Sequence, residues 1–255
     1  MDRMDENMLE TIELRIKRQK DAGSEPYWEE FRIPYMPNMN VITLLQEIQR
    51  NPVNAQGVKT TPVSWDCSCL EEVCGSCTMV INGRVRQSCS ALVDQLEQPI
   101  LLEPMRKFPV IRDLVVNRSR MFEALKRVRA WIEIDGTYDL GPGPRKSQGD
   151  QEKMYLFSRC MTCGCCVDAC PQFNPNTEFI GASALGQAYL FNQNPIGRTE
   201  KEARLRSLMG EGGIQECGNA QNCLQVCPKD IPLTRGIASL NRDTVFQAFK
   251  DLLWR

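Results

Sequence analysis

Cys160, Cys163, Cys166 and Cys170, the last followed by Pro171, fall at the spacing C-x2-C-x2-C-x3-C-P. Nothing else in the chain constrains its fold as strongly, because such a run cannot complete its own ligation. The first three thiolates bind one cubane iron–sulfur cluster and the fourth reaches a second cluster. A second copy is therefore required, and Cys217, Cys223 and Cys227-Pro228 lie on the same grid. One position departs from it: where the repeat calls for its second cysteine, the chain has Ala220. Exchange of the fourth cysteines assigns Cys160, Cys163, Cys166 and Cys227 to a complete 4Fe–4S cluster. Cys170, Cys217 and Cys223 then supply three thiolates to the other. A cubane corner with no protein ligand tends to lose its iron, so the spacing predicts 3Fe–4S there. The alternatives, zinc sites or buried thiols, do not account for two copies that both end in Cys-Pro. Cys165 lies off the grid and reads as a buried neighbour.

Upstream, Cys69, Cys74 and Cys77 are spaced C-x4-C-x2-C, and Cys89 follows after a hairpin signal, Asn82-Gly83. This is the plant-type 2Fe–2S spacing. One loop wraps the inorganic core, and the turn brings back a strand bearing the fourth thiolate. Gly75 and Ser76 are small enough for backbone N–H groups to approach the sulfurs. Four thiolates also suit zinc, but zinc sites generally use paired knuckles, which this segment lacks. Cys67 has no place in the pattern and reads as a non-ligand. Asp66, Glu71 and Glu72 beside this set admit two readings, a charge that lowers the cluster's potential or a solvated acidic loop.

The chain has 13 cysteines and no histidine. Histidine-ligated haem, Rieske centres, mixed cysteine–histidine zinc sites and imidazole relays are thereby excluded. A net charge of −1 gives no electrostatic support for nucleic-acid binding. No stretch approaches the roughly 20 apolar residues of a membrane span. The acidic start MDRMDENMLE lacks the apolar core of a signal peptide. The expectation is a chain in a reducing compartment, where so many cysteines point to metal chemistry.

The first third reads as strands. Apolar and charged residues alternate from Ile12 to Lys17, and Phe31, Ile33 and Tyr35 repeat that period. Val41, Leu44, Leu45 and Ile48 share the face of a short helix, and Met79–Ile81 and Val85–Gln87 flank the Asn82-Gly83 turn. A small mixed sheet crossed by one helix is predicted. From Ser119 the pattern turns helical, with Met121, Leu125, Val128 and Ile132 on one face. Arg118, Arg120, Lys126, Arg127 and Arg129 form a basic cluster, read either as a solvated face or as a docking surface. Gly136–Gly149 is a turn-rich connection without nucleotide-loop spacing. The expected domains are 1–116 and 117–255.

Three clusters in one chain, with no nucleotide motif, flavin fingerprint or acid–base relay, make a wire that needs a partner at each end. The order of these motifs resembles the iron–sulfur subunit of succinate dehydrogenase and fumarate reductase. Val73-Cys74-Gly75-Ser76-Cys77, Cys160-Met161-Thr162-Cys163-Gly164 and Val226-Cys227-Pro228-Lys229 carry the resemblance. The stretch Asp135–Arg145 looks like the Gram-positive branch. The resemblance implies an α+β fold, with a β-grasp plant-type 2Fe–2S ferredoxin domain followed by a helical bacterial-ferredoxin-type domain. It implies an oxidoreductase subunit of the respiratory chain and tricarboxylic acid cycle, with no catalytic residue of its own. A flavoprotein with FAD would oxidise succinate to fumarate, and electrons would pass through 2Fe–2S, 4Fe–4S and 3Fe–4S to quinone at a membrane anchor. The branch implies menaquinone and a haem-bearing anchor, and the subunit would sit peripherally on the cytoplasmic face of the membrane.

One departure from better-known members touches the quinone end. They carry a tryptophan shortly after the first Cys-Pro and a histidine just after the cysteine matching Cys217. Here those segments read Pro171-Gln172-Phe173-Asn174-Pro175 and Cys217-Gly218. Replacing Gln172 or Phe173 should then leave quinone affinity unchanged if electrons leave by another path. Reverse operation as a fumarate reductase, a free ferredoxin-like carrier and a zinc-stabilised scaffold are the competing readings.

Overall fold

The computed structural model describes residues 11–133 and 144–253. MDRMDENMLE and the segment from Gly136 to Gly143 lie outside the described residues. The chain divides into two compact units, Met1–Asn117 and Arg118–Arg255.

The first unit is built on a five-stranded mixed sheet of order β2-β1-β5-β3-β4. Strand β1 (Thr11–Arg18) buries Ile12, Leu14 and Ile16, as its alternation dictates, and pairs antiparallel with β2 (Tyr27–Pro34). Helix α1 (Val41–Arg50) starts where the Asn40 side chain accepts from the Thr43 N–H at 2.9 Å. It buries Val41, Ile42, Leu44, Leu45 and Ile48 in the core formed with the sheet. β3 (Thr78–Ile81) and β4 (Arg84–Gln87) form a hairpin closed by Asn82 at φ 47 and Gly83 at φ 80. Two positive φ angles in sequence are what a two-residue hairpin turn requires. β5 (Ile100–Glu103) runs parallel to β1 and antiparallel to β3. A small ribbon of β6 (Val110–Arg112) and β7 (Val115–Val116) completes the unit.

At the end of β1 the inward position falls to Arg18, 2% exposed. Its Nε lies 2.9 Å from Asp113 Oδ1 and its Nη1 2.5 Å from Glu29 Oε2, while Asp113 Oδ2 accepts from the Ser64 N–H at 2.8 Å. This buried ionic knot fixes the segment that leads into the first cysteine loop.

The second unit is helical. α2 (Ser119–Arg127) is shorter than its apolar pattern predicts: it buries Met121 and Ala124, with Val128 as its C-cap, while Leu125 is half-buried and Ile132 lies beyond the helix. Arg129 turns the chain out at φ 48, with its N–H on the Lys126 carbonyl. α3 (Gln148–Ser158) and α4 (Cys165–Asp168) precede α5 (Gly181–Gln193), whose first turns are rich in Gly, Ala and Ser and which is buried along most of its length. α6 (Lys201–Ser207), α7 (Asn222–Gln225) and α8 (Leu233–Leu253) follow. α8 packs against α5, and a Cβ on Gly236 would stand 2.7 Å from the edge of the Phe157 ring.

Most of the basic cluster is engaged within the chain instead of forming a simple solvated face. Arg120 donates to the carbonyls of Asn174, Thr177 and Phe179 and lies 4.0 Å over the Phe173 ring. Arg127 donates to Ser207 and Glu211 carbonyls, and Arg129 pairs with Glu200. These guanidinium groups satisfy loop carbonyls that no helix or sheet serves. Only Lys126, paired with Glu123 of its own helix, fits a solvated face.

Towards its C-terminal end α8 inverts the usual pattern. Thr244 and Gln247 are buried, whereas Val245, Phe246, Phe249, Leu252 and Leu253 are 53–74% exposed. No helix among the described residues is long and apolar enough to cross a membrane.

Candidate metal centres

In the first unit the hairpin register sets Thr78 opposite Gln87, so Cys77 and Cys89 emerge from its open end. Ser88 ties that end, with its hydroxyl and its N–H both donating to the Cys77 carbonyl. The loop from Cys69 to Ser76 turns its amides inward. The N–H groups of Glu71, Val73 and Cys74 lie 3.3–3.4 Å from Cys69 Sγ, and those of Cys69 and Ser76 lie 3.5 Å from Cys74 Sγ. The Cys69 amide and the Ser76 hydroxyl and amide bring the Cys74 thiol down to about 6. Burial, with a hydrogen bond to Cys77, pushes Cys89 up to about 12. A site with one thiolate preformed and another held neutral suits a cation-containing centre that displaces the remaining proton.

Cys67 is exposed, and burial, with the nearby Cys77 sulfur, raises its thiol. Of the acidic residues here, Asp66 and Glu71 are exposed and Glu72 is partly buried. The Ser90 hydroxyl donates to Glu72 Oε1 at 2.5 Å, and the Glu72 N–H donates to Cys89. The loop also shows apolar Leu70 and Val73 to solvent.

The second unit repeats one local design twice. Thr162 and Gly164 have positive φ angles in the first cysteine run, and Asn219 and Gln221 have them at the corresponding places of the second. In each run the left-handed residue starts a one-turn helix, α4 or α7, carrying Cys166 or Cys223. The Asn222 amide donates to the Ala169 carbonyl at 3.0 Å and joins the two copies.

Two cavities sit among these elements. Cys160, Cys163, Cys166 and Cys227 line one. Cys170, Cys217 and Cys223 line the other, with Ala220 on its wall. Each cavity thus takes its last cysteine from the other run. Among the described residues, no three Cys, Asp or Glu side chains come close enough to hold a single ion. The thiols ring a cavity instead, which fits a multi-atom cluster better than one zinc with ligands at about 2.3 Å. Burial raises Cys160 and Cys166, and burial with the Cys170 and Cys217 charges pushes Cys223 up to about 11.

Cys165 is more than a neighbour. It is fully buried and its thiol donates to Cys163, which comes down to about 7. Gln187 on α5 bonds the Cys160 sulfur. Neither contact shows in the cysteine spacing, because both depend on how α4 and α5 pack. Phe173 is fully buried beneath Arg120, so its replacement would disturb the fold and report nothing about quinone. Gln172 lies over Gly218, where an added Cβ would meet its Nε2 at 2.6 Å, and both residues border the three-thiol cavity.

Residues 13–123 match the family described as a 2Fe-2S iron-sulfur cluster binding domain, and residues 156–231 a 4Fe-4S dicluster domain. Together they define the class, an iron–sulfur electron-transfer chain. The succinate dehydrogenase iron–sulfur subunit of Bacillus subtilis (strain 168) is 61% identical over 241 residues, covering 94% of this chain and 95% of that one. The chain therefore belongs to the family of succinate dehydrogenase and fumarate reductase iron–sulfur subunits. The fumarate reductase iron–sulfur subunit of Wolinella succinogenes is 28% identical, covering 89% of this chain and 93% of its own. The fold is shared with a chain of the Mycobacterium smegmatis Sdh1 complex in the apo form. That match has a TM-score of 0.75 at 23% identity and covers 94% and 97% of the two chains.

Proposed function

We propose that this chain is the electron-carrying subunit of a succinate:quinone oxidoreductase, taking electrons from a flavoprotein and delivering them towards quinone. Cys69, Cys74, Cys77 and Cys89 would hold 2Fe–2S. Cys160, Cys163, Cys166 and Cys227 would hold 4Fe–4S, and Cys170, Cys217 and Cys223 would hold 3Fe–4S. When bound, such clusters accept and release single electrons. The protein's part is to hold the thiolates, aim amides at their sulfurs and keep water from them. The observation that carries the reading is the pair of adjoining cavities, one ringed by four thiols and one by three with Ala220 in the remaining place.

The partners follow from the two ends. Leu70 and Val73 flank the first thiols and offer apolar surface for a flavoprotein that must approach closely to transfer electrons. The outward apolar side of α8 suits a membrane anchor, consistent with a subunit that lies peripherally on the cytoplasmic face. Gln172 packed over Gly218 occupies space beside the three-thiol cavity, which supports an exit other than a quinone seated there. The resemblance to the Gram-positive branch makes a haem-bearing anchor and menaquinone that exit. The purified complex should reduce a menaquinone analogue with succinate, and Gln172→Ala should leave the KM for quinone within about twofold. Complex that contains the chain yet gives no succinate-dependent reduction of its iron would refute this function.

A further inference from the structure

Ser183 stands on α5 among small neighbours and is 2% exposed. A buried helical serine ordinarily gives its proton to a carbonyl one turn back. Among the described residues the Ser183 hydroxyl has no such partner, nor any other acceptor or donor. A hydroxyl buried without a partner costs about 1–3 kcal/mol, so its persistence asks for an acceptor that the chain itself does not supply. Ser183 lines the cavity ringed by Cys160, Cys163, Cys166 and Cys227. One turn further along the same helix face, Gln187 already bonds the Cys160 sulfur. α5 therefore brings two polar residues to this site, one bonded to a thiol and one lining the cavity with its hydroxyl unpartnered.

We infer that the Ser183 hydroxyl donates a hydrogen bond to the sulfur of the cluster held by those four cysteines, and that it raises that cluster's reduction potential. The inference rests on the 4Fe–4S reading of the site given above. A donor to sulfur stabilises the more negative, reduced state more than the oxidised one, so it favours uptake of the electron. The bland alternative is a hydroxyl that meets a trapped water, which would need at least two polar partners in the cavity.

The test is an EPR-monitored redox titration of the intact complex with Ser183→Ala and Ser183→Cys. Ser183→Ala should shift the 4Fe–4S equilibrium towards the oxidised form by three- to tenfold, the upper figure being about 59 mV for one electron. The signal should keep its amplitude and the other two clusters should keep their potentials. Ser183→Cys, similar in size but a weaker donor, should lie between. An unchanged or raised 4Fe–4S potential in Ser183→Ala would overturn the inference, as would an equal shift of all three clusters. Should Ser183→Ala lose the cluster, a Ser183→Cys protein matching wild type in potential would overturn it, and one with a lowered potential would sustain it. Wild-type complex with no 4Fe–4S signal at all would instead defeat the reading on which the inference rests.

Discussion

Replacing Arg18 with methionine removes the cation from the buried knot in the first unit. Arg18 and Asp113 are each 2% exposed and Glu29 is 9% exposed, so water cannot take over the lost contacts. Breaking a buried ion pair from one side costs about 3–5 kcal/mol, because a charge is left without compensation. Here two carboxylates are stranded, but unequally. Asp113 still accepts from the N–H groups of Gln19 at 3.1 Å and Ser64 at 2.8 Å, whereas among the described residues Glu29 keeps a 3.4 Å contact with the Asn54 amide. The expected loss is therefore near the middle of that range, about 4 kcal/mol. For a unit of this size each kcal/mol moves the melting temperature by about 4 °C, so Arg18→Met should lower it by about 15 °C. Arg18→Lys, which keeps the charge but not the forked geometry, should lose about half as much. Calorimetry on the iron-loaded subunit reads the effect. Visible absorbance should fall with it, since Arg18 also holds the carbonyls of Thr61 and Pro62 just before the cysteine loop. A loss under about 1 kcal/mol for Arg18→Met would refute the claim that this knot holds the loop in place.

Ala220→Cys should supply the missing thiolate and convert the proposed 3Fe–4S cluster to 4Fe–4S, read as loss of the oxidised EPR signal and one more iron per chain. Glu72→Gln should move the 2Fe–2S equilibrium several-fold towards the reduced form, because the Ser90 bond keeps this carboxylate beside Cys89. Glu71→Gln should move it far less, and equal shifts would favour a merely solvated acidic loop. In the iron-free chain, burial raises Cys223 from 9.0 to about 11 and Cys89 from 9.0 to about 12. Neutral thiols favoured by folding add stability that is full below pH 9 and is lost as pH rises through 11 to 12. Denaturant midpoints should therefore fall between pH 8.5 and 11 in iron-free chain and stay flat in iron-loaded chain. Parallel falls in both would contradict the prediction.

The cysteine grid was readable because ligand spacing is a local property: a loop must reach around its cluster within a few residues. The β3–β4 hairpin was readable for the same reason, with Asn82-Gly83 alone able to specify its turn. β5 escaped notice because a four-residue strand between Pro99 and Pro104 has too little pattern to separate it from a loop. The roles of Arg18, Arg120 and Arg127 were hidden for a different reason. Their partners are backbone carbonyls and carboxylates 54 to 95 residues away, apart from Glu29 and the carbonyls of Thr61 and Pro62, and only the folded chain brings them together. A run of basic residues looks alike whether it faces water or caps loops. Ser183 lay equally out of sight, since a serine among alanines in an apolar stretch carries no mark of the cavity it lines.

EPR spectroscopy of the purified complex, first oxidised and then reduced, tests the central claim most directly. The account predicts a 3Fe–4S signal in the oxidised protein, with 2Fe–2S and 4Fe–4S signals appearing on reduction. Silence in the oxidised state together with a second 4Fe–4S signal on reduction would contradict it, because Ala220 would then leave no corner of the cubane open.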